Sequence, residues 1–216
     1  MNIESARRQM VDQQIRAWDV LDERVLDAML DVPREHFVPP AYRGLAFADI
    51  EIPIGHGEFM MAPKVEGRLL QALELTPADS VLEIGTGSGF LSGCISKLVK
   101  SVTSIDIRAV FTDHAGQSLR SAGFGNVVLE TRDAMQLDRQ RRFDAIAVTG
   151  SLPVYDERFQ RALSPGGRLF VIAGSLPVME ALLVRRSGED EWTTESLFET
   201  AIPPLVNARR PAGFIF

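Results

Sequence analysis

The stretch VLEIGTGSGF, Val81–Phe90, decides the fold: a short apolar run breaks into three alternating glycines and then opens a helix. Glycine at 85, 87 and 89 lets the backbone approach a ligand closely, and the free amides where the helix begins can meet a polar group. A dinucleotide fingerprint requires its third glycine three positions after the second, and Phe90 stands there. The spacing therefore points away from NAD.

Acidic residues recur at the ends of the neighbouring apolar runs. Glu83 lies just before the glycines, Asp106 ends SVTSID about twenty residues on, where an acid can accept hydrogen bonds from ribose hydroxyls, and Asp133 follows NVVLET. The expected crevice has three acids and no nearby Lys or Arg to hold a pyrophosphate. That setting suits S-adenosyl-L-methionine (AdoMet), which carries a sulfonium and an ammonium but no phosphate. The expected cofactor contacts are Glu83, Gly85, Gly87, Gly89, Asp106 and Asp133, and no metal site is expected.

Outward from the glycines, the pattern is one of alternating helices and strands. APKVEGRLLQALEL, FLSGCISKLV and AVFTDHAGQSLRSAG read as helices, as does PVYDERFQRAL with SPGG as its stop. SVLEIG, SVTSID, NVVLET, FDAIAVTG and RLFVIAG read as buried strands. EALLVRRSG and EWTTESLFET, joined by a tight SGED turn, predict an antiparallel edge. The first forty residues are helical in pattern, with Val25, Leu26, Met29 and Leu30 on one face and Pro33 as a stop. HFVPPAYRGLAFADIEIPIGHG is too rich in proline and glycine for a regular element and is expected to be an ordered loop or lid. The predicted class is α/β: a doubly wound, mostly parallel, Rossmann-like sheet with N-terminal helices and an antiparallel C-terminal edge. The expected organisation is one domain, with 1–62 as leader and lid and 63–216 as cofactor-binding core.

At 216 residues and 45% hydrophobic, the chain can bury a sizeable core. Its net charge of -6 argues against a nucleic-acid or anionic-membrane surface, which needs clustered cations. RQRR at 139–142 and the pair at Arg209 read as solvated loops. The single cysteine, Cys94, excludes an internal disulfide and reads as a core thiol. No apolar run reaches about 18 residues and no apolar segment follows the N-terminal charges, so the expectation is a soluble, cytoplasmic protein. His36, His56 and His114 are scattered and read as structural or solvated, His56 alone falling in the expected lid. The hydrophobic end AGFIF either closes the core or docks on a partner.

With these residues in view, the chain resembles the protein-L-isoaspartate O-methyltransferase family. MVDQQI, RVLDAMLDVPREHFVPPAYRGLAFAD, PIGHG, VLEIGTGSGF, FDAIAVTG, LSPGGRL and PPL look like that family's landmarks, in its order. The resemblance implies transfer of the AdoMet methyl group to the free carboxylate of isoaspartyl residues in peptides or proteins, leaving S-adenosyl-L-homocysteine. The resulting ester collapses to a succinimide, which restores aspartate in part. A carboxylate with a pKa of about 4 is already a nucleophile at neutral pH, so the lack of a Ser-His-Asp arrangement is no objection.

The lid departs from the family. Its usual G-x-G-Q-T-I-S-x-P is GHGEFMMAP here, with Glu58, Phe59, Met60 and Met61 replacing glutamine, threonine, isoleucine and serine. The resemblance implies that the lost hydroxyls lie beside the substrate carboxylate, so Glu58, Phe59 and Met61 are the substrate-side candidates, with His56 and Ser151 as weaker ones. Hydrogen bonds to a charged partner contribute about 1.5 to 3 kcal/mol each. If Glu58 faces the pocket, two like charges about 5 Å apart at an effective dielectric of about 20 repel by roughly 3 kcal/mol. Otherwise Glu58 turns to solvent or contacts AdoMet. Three readings stay open: an isoaspartyl methyltransferase, a methyltransferase of the same architecture with a neutral or apolar acceptor, and an AdoMet-binding protein without turnover.

Overall fold

The computed structural model describes residues 2–138 and 140–211; Arg139 of RQRR and the final AGFIF lie outside the described residues. In chain order the helices are α1 (Ile3–Met10), α2 (Glu23–Asp31), α3 (Arg34–Phe37), α4 (Pro63–Ala72), α5 (Phe90–Leu98), α6 (Ala109–Ser121) and α7 (Arg158–Arg161). The strands are β1 (Ile52–Gly55), β2 (Glu58–Met60), β3 (Ser80–Ile84), β4 (Ser101–Asp106), β5 (Val127–Thr131), β6 (Phe143–Leu152), β7 (Leu163–Ser175), β8 (Val178–Arg186) and β9 (Trp192–Glu199). Strands β3 to β9 form one sheet in the order β5-β4-β3-β6-β7-β8-β9. The first five of these run parallel, and β8 and β9 each pair antiparallel to their predecessor, as the C-terminal pattern predicts.

The central strands are apolar on both faces because both faces are covered. In β6, Ala145 and Ala147 join the core beneath α4 and α5, whereas Ile146 and Val148 join the opposite layer with Phe159 of α7. The leader adds Met10, Ile15, Leu26 and Met29 to the first layer. Gly67 makes that packing possible, since a Cβ there would lie 2.8 Å from the Ile15 side chain. Cys94 is fully buried.

Four expectations fail for physical reasons. The presumed lid loop contains the antiparallel hairpin β1–β2, its turn built by Gly55, His56 and Gly57 at positive φ. SPGG does not stop a helix; Ser164 to Gly167 lie inside β7, and α7 before it spans only four residues. NVVLET is an edge strand rather than a buried one, with Val128 59% exposed. Arg141 of RQRR is not a free solvated cation: it holds Glu130 on that edge at 2.8 Å and lies over the Phe143 ring.

Arg34 links the leader to the rest. It is fully buried, donates to the carbonyls of Ala46 at 3.0 Å and Met61 at 2.8 Å, pairs with Glu66 of α4, and lies 4.5 Å from the centre of the Phe90 ring. Burial pushes the Glu66 carboxyl up to about 7, against the opposing pull of Arg34. Arg34→Met leaves two carbonyls and a carboxylate without their donor. The expected loss is about 3 to 5 kcal/mol in urea denaturation, and a loss below about 1 kcal/mol would show that Arg34 does not anchor the leader.

Candidate active site

The crevice lies where an open α/β sheet binds ligands, outside the carboxyl ends of strands at the point where the strand order reverses. Here that point is β3, flanked by β4 and β6. After Ile84 the chain turns at Gly85, whose amide donates to the Ile105 carbonyl at 2.8 Å. The φ of Gly85 is +97°, and a Cβ on it would stand 2.2 Å from Thr149 Oγ1. That hydroxyl lies 2.9 Å from both the Ile84 and Gly85 carbonyls, so the end of β6 holds the loop. The Gly87 amide donates to Asp106 Oδ2 at 3.0 Å, and the Arg108 amide to Oδ1 at 3.0 Å. Each carboxylate oxygen retains a lone pair for a further donor.

The other walls come from more distant segments. Asp133 accepts from the Met135 amide at 2.8 Å and from Asn207 Nδ2 at 2.9 Å. Residues 202–206 run alongside because Ser151 and Leu205 exchange a backbone hydrogen bond of 3.0 Å and Leu205 packs on Gly150. The β1–β2 hairpin closes the third side with Ile54, Glu58, Phe59 and Met61.

Of the residues singled out from sequence, Gly85, Gly87, Asp106, Asp133, Glu58, Phe59 and Met61 line this crevice together. Glu83, Gly89, Ser151 and His56 are not among its lining residues. Glu83 is fully buried behind the loop, accepting from Ser92, with one carboxylate oxygen lacking a hydrogen-bond partner among the described residues. Gly89 meets α6, where a Cβ would lie 2.8 Å from that of Ala115. Ser151 is fully buried and donates to the Ile202 carbonyl at 3.0 Å, which makes it an anchor for residues 202–205. His56 stands exposed at the hairpin turn with its ring edge-on to Phe111.

Sequence reasoning missed Thr149 and Gly150, whose position at a strand's carboxyl end was the available signal, and the wall from Ile202 to Val206. It also expected no nearby cation, whereas Arg108 and Arg132 both line the crevice. Glu58 neither turns wholly to solvent nor stands alone, for its carboxylate lies 3.6 Å from Arg108. Among the described residues no group of three or more His, Cys, Asp or Glu could hold a metal ion, and no helix is long and apolar enough to cross a membrane.

The family model for protein-L-isoaspartate (D-aspartate) O-methyltransferase matches residues 5–210. Protein-L-isoaspartate O-methyltransferase 2 of Pelobacter propionicus is 37% identical over 209 residues, covering 96% of this chain and 93% of the relative. The corresponding enzyme of Roseiflexus castenholzii is 36% identical over 207 residues, covering 95% and 94%. Among solved structures, a Plasmodium falciparum protein assigned to the same activity and crystallised with S-adenosyl-L-homocysteine superposes with a TM-score of 0.81, over 92% of this chain and 97% of that one. At 17% identity it shows the fold: the Rossmann-like methyltransferase architecture.

Burial is the main cause that pushes the Glu83 carboxyl up to about 7 from an ordinary 4.5. The fold thus favours the protonated form. The associated stability is complete below pH 4.5 and is lost as pH rises through about 7. Glu83→Gln stays neutral throughout, so its melting temperature relative to the parent should rise from about pH 5 to about pH 8; a pH-independent difference would show that Glu83 does not titrate in that window.

Proposed function

Because the chain belongs to the protein-L-isoaspartate O-methyltransferase family, we propose that it transfers the methyl group of AdoMet to the free carboxylate of isoaspartyl residues. The observation that carries this reading is one crevice shared by the glycine loop, the acids of two successive strand ends and the hairpin segment that matches the family's lid. The residues fit the cofactor. Gly85 and Gly87 present bare backbone to the crevice, and Asp106 has lone pairs for ribose hydroxyls. Ile107, Phe111 and Ala134 give apolar flanks for a flat ring. Glu51, Glu58, Asp106 and Asp133 suit a ligand bearing a sulfonium and an ammonium; burial alone holds the Glu51 carboxyl above its usual value.

When bound, AdoMet supplies an electrophilic methyl group. The chain's own residues then have a limited task. No base is required, because the attacking carboxylate is ionised at neutral pH. The Gly85–Gly87 loop, pinned to Ile105, Thr149 and Asp106, fixes one partner, and the hairpin bounds the other with Phe59 and Met61. Orientation and exclusion of water in such a crevice are the rate-giving effects. The net charge of -6 supports a peptide or protein acceptor over a nucleic acid.

One observation favours a second reading. Phe59 is 44% exposed and shares the crevice with Leu205 and Val206, an apolar rim that would also suit a neutral acceptor. A matched pair of isoaspartyl and aspartyl peptides, incubated with labelled AdoMet, separates the readings. Base-labile ester should form on the isoaspartyl peptide alone; bound AdoMet with no ester would favour the second reading or binding without turnover. Gly85→Ala should weaken AdoMet binding at least about tenfold in calorimetry, because its Cβ has no room and its φ is unfavourable for an L side chain. Retained affinity would remove the loop from the cofactor site.

A further inference from the structure

The methyl-transfer crevice is charged the wrong way for a carboxylate acceptor, and Arg108 is the residue that can correct it. Four acids line the crevice, and its cationic lining residues are Arg108 and Arg132. Arg132 is already engaged, with Nη1 3.2 Å from Glu130 and Nη2 donating to the Gln136 carbonyl at 3.0 Å. Arg108 is not. Its ion pair with Glu58 spans 3.6 Å, too long for a hydrogen bond, and its Nε is buried with no hydrogen-bond partner among the described residues. Its backbone, by contrast, is held by Asp106 immediately before α6. The main chain of Arg108 is therefore fixed, while its guanidinium has an unpartnered Nε and a long contact to Glu58 among the described residues.

The hairpin shows why a cation is needed there. Phe59 and Met61 carry no side-chain donor, and Met61 is 8% exposed and packed into the core. A guanidinium presents two parallel N–H groups that match a carboxylate's two oxygens, so one such side chain can replace two hydroxyls. We propose that Arg108 is the receptor for the acceptor carboxylate in this chain, and that Glu58 holds it over the crevice until the acceptor displaces it. The proposal rests on the isoaspartyl reading above. Glu58 is about a third exposed and can swing to water when displaced. Methylation converts the acceptor carboxylate to a neutral ester, which removes the charge that Arg108 holds. The product then leaves, and Glu58 pairs with Arg108 again.

The test compares the parent with Arg108→Gln, Arg108→Lys and Glu58→Gln, using an isoaspartyl peptide for KM and kcat and calorimetry for AdoMet. Arg108→Gln should raise the peptide KM roughly tenfold to a hundredfold, with a smaller change in kcat and AdoMet affinity within about twofold. Arg108→Lys should recover part of the loss, as a point charge without the fork. Glu58→Gln should lower KM, because the acceptor no longer competes with an internal carboxylate. Added salt should raise the parent's KM but not that of Arg108→Gln, in which it screens only the repulsion from the acids. An unchanged KM in Arg108→Gln overturns the proposal, as does AdoMet affinity that falls in step with kcat/KM, which would place Arg108 on the cofactor. A parent protein that binds AdoMet but makes no isoaspartyl ester overturns the functional reading and this proposal with it; that failure is recognised before any substitution is made.

Discussion

A buried guanidinium organises this molecule. Arg34, from the short helix that follows Pro33, reaches a carbonyl at residue 46, the carbonyl of Met61 where the hairpin ends, the carboxylate of Glu66 and the face of Phe90. Phe90 is the first residue of the helix that the glycine loop opens. One side chain thus fixes the leader, the hairpin's exit and the start of α5 with respect to each other. A buried ion pair is weak evidence for stability, since well-packed apolar groups can do as well. Its directional bonds do something packing cannot, which is to hold the leader, the hairpin's exit and α4 in a single register, with the Phe90 ring stacked against the same guanidinium.

From that tie follows the shape of the crevice. The loop is gripped from below by Thr149 and from the side by Ile105 and Asp106; the amides of Gly85, Thr86, Gly87 and Gly89 are taken by protein acceptors, so the loop offers a fixed shape and not the free amides its sequence suggests. Opposite it stands a hairpin whose strands are hydrogen-bonded, a stiffer wall than a free loop. Residues 202–206 complete the enclosure only because Ser151, itself fully buried, turns its hydroxyl to Ile202 and its backbone to Pro203 and Leu205. Residues that never reach the crevice therefore decide its width.

Charge in the crevice has a pattern that neither list of acids nor list of bases conveys. Glu58 and Arg108 arrive from segments fifty positions apart in sequence and face each other across the mouth at 3.6 Å. Arg132, of the same charge, is spent on Glu130 at the sheet edge. The difference between the two arginines lies in their neighbours and not in their local sequences, DIRAV and ETRDA, which look alike.

What the sequence determined was everything carried by local periodicity or local chemistry. Apolar strands alternating with helices dictate a sheet covered on both faces, and the glycines at 85 and 87 with acids at 106 and 133 lie together at the crevice end of that sheet. The order of family landmarks determined the family. What tertiary structure decided was direction and company. Glu83 sits on the loop's hidden side because β3 alternates its side chains, and Gly89 serves helix packing because α6 crosses there. NVVLET is exposed because β5 is the edge of the sheet among the described residues, a fact of strand order that its own apolar residues cannot encode. The hairpin escaped a reading based on proline and glycine content because backbone pairing depends on which segment lies opposite. Arg108 escaped for the same reason: a cation's role is set by which carboxylates reach it, and they come from elsewhere in the chain.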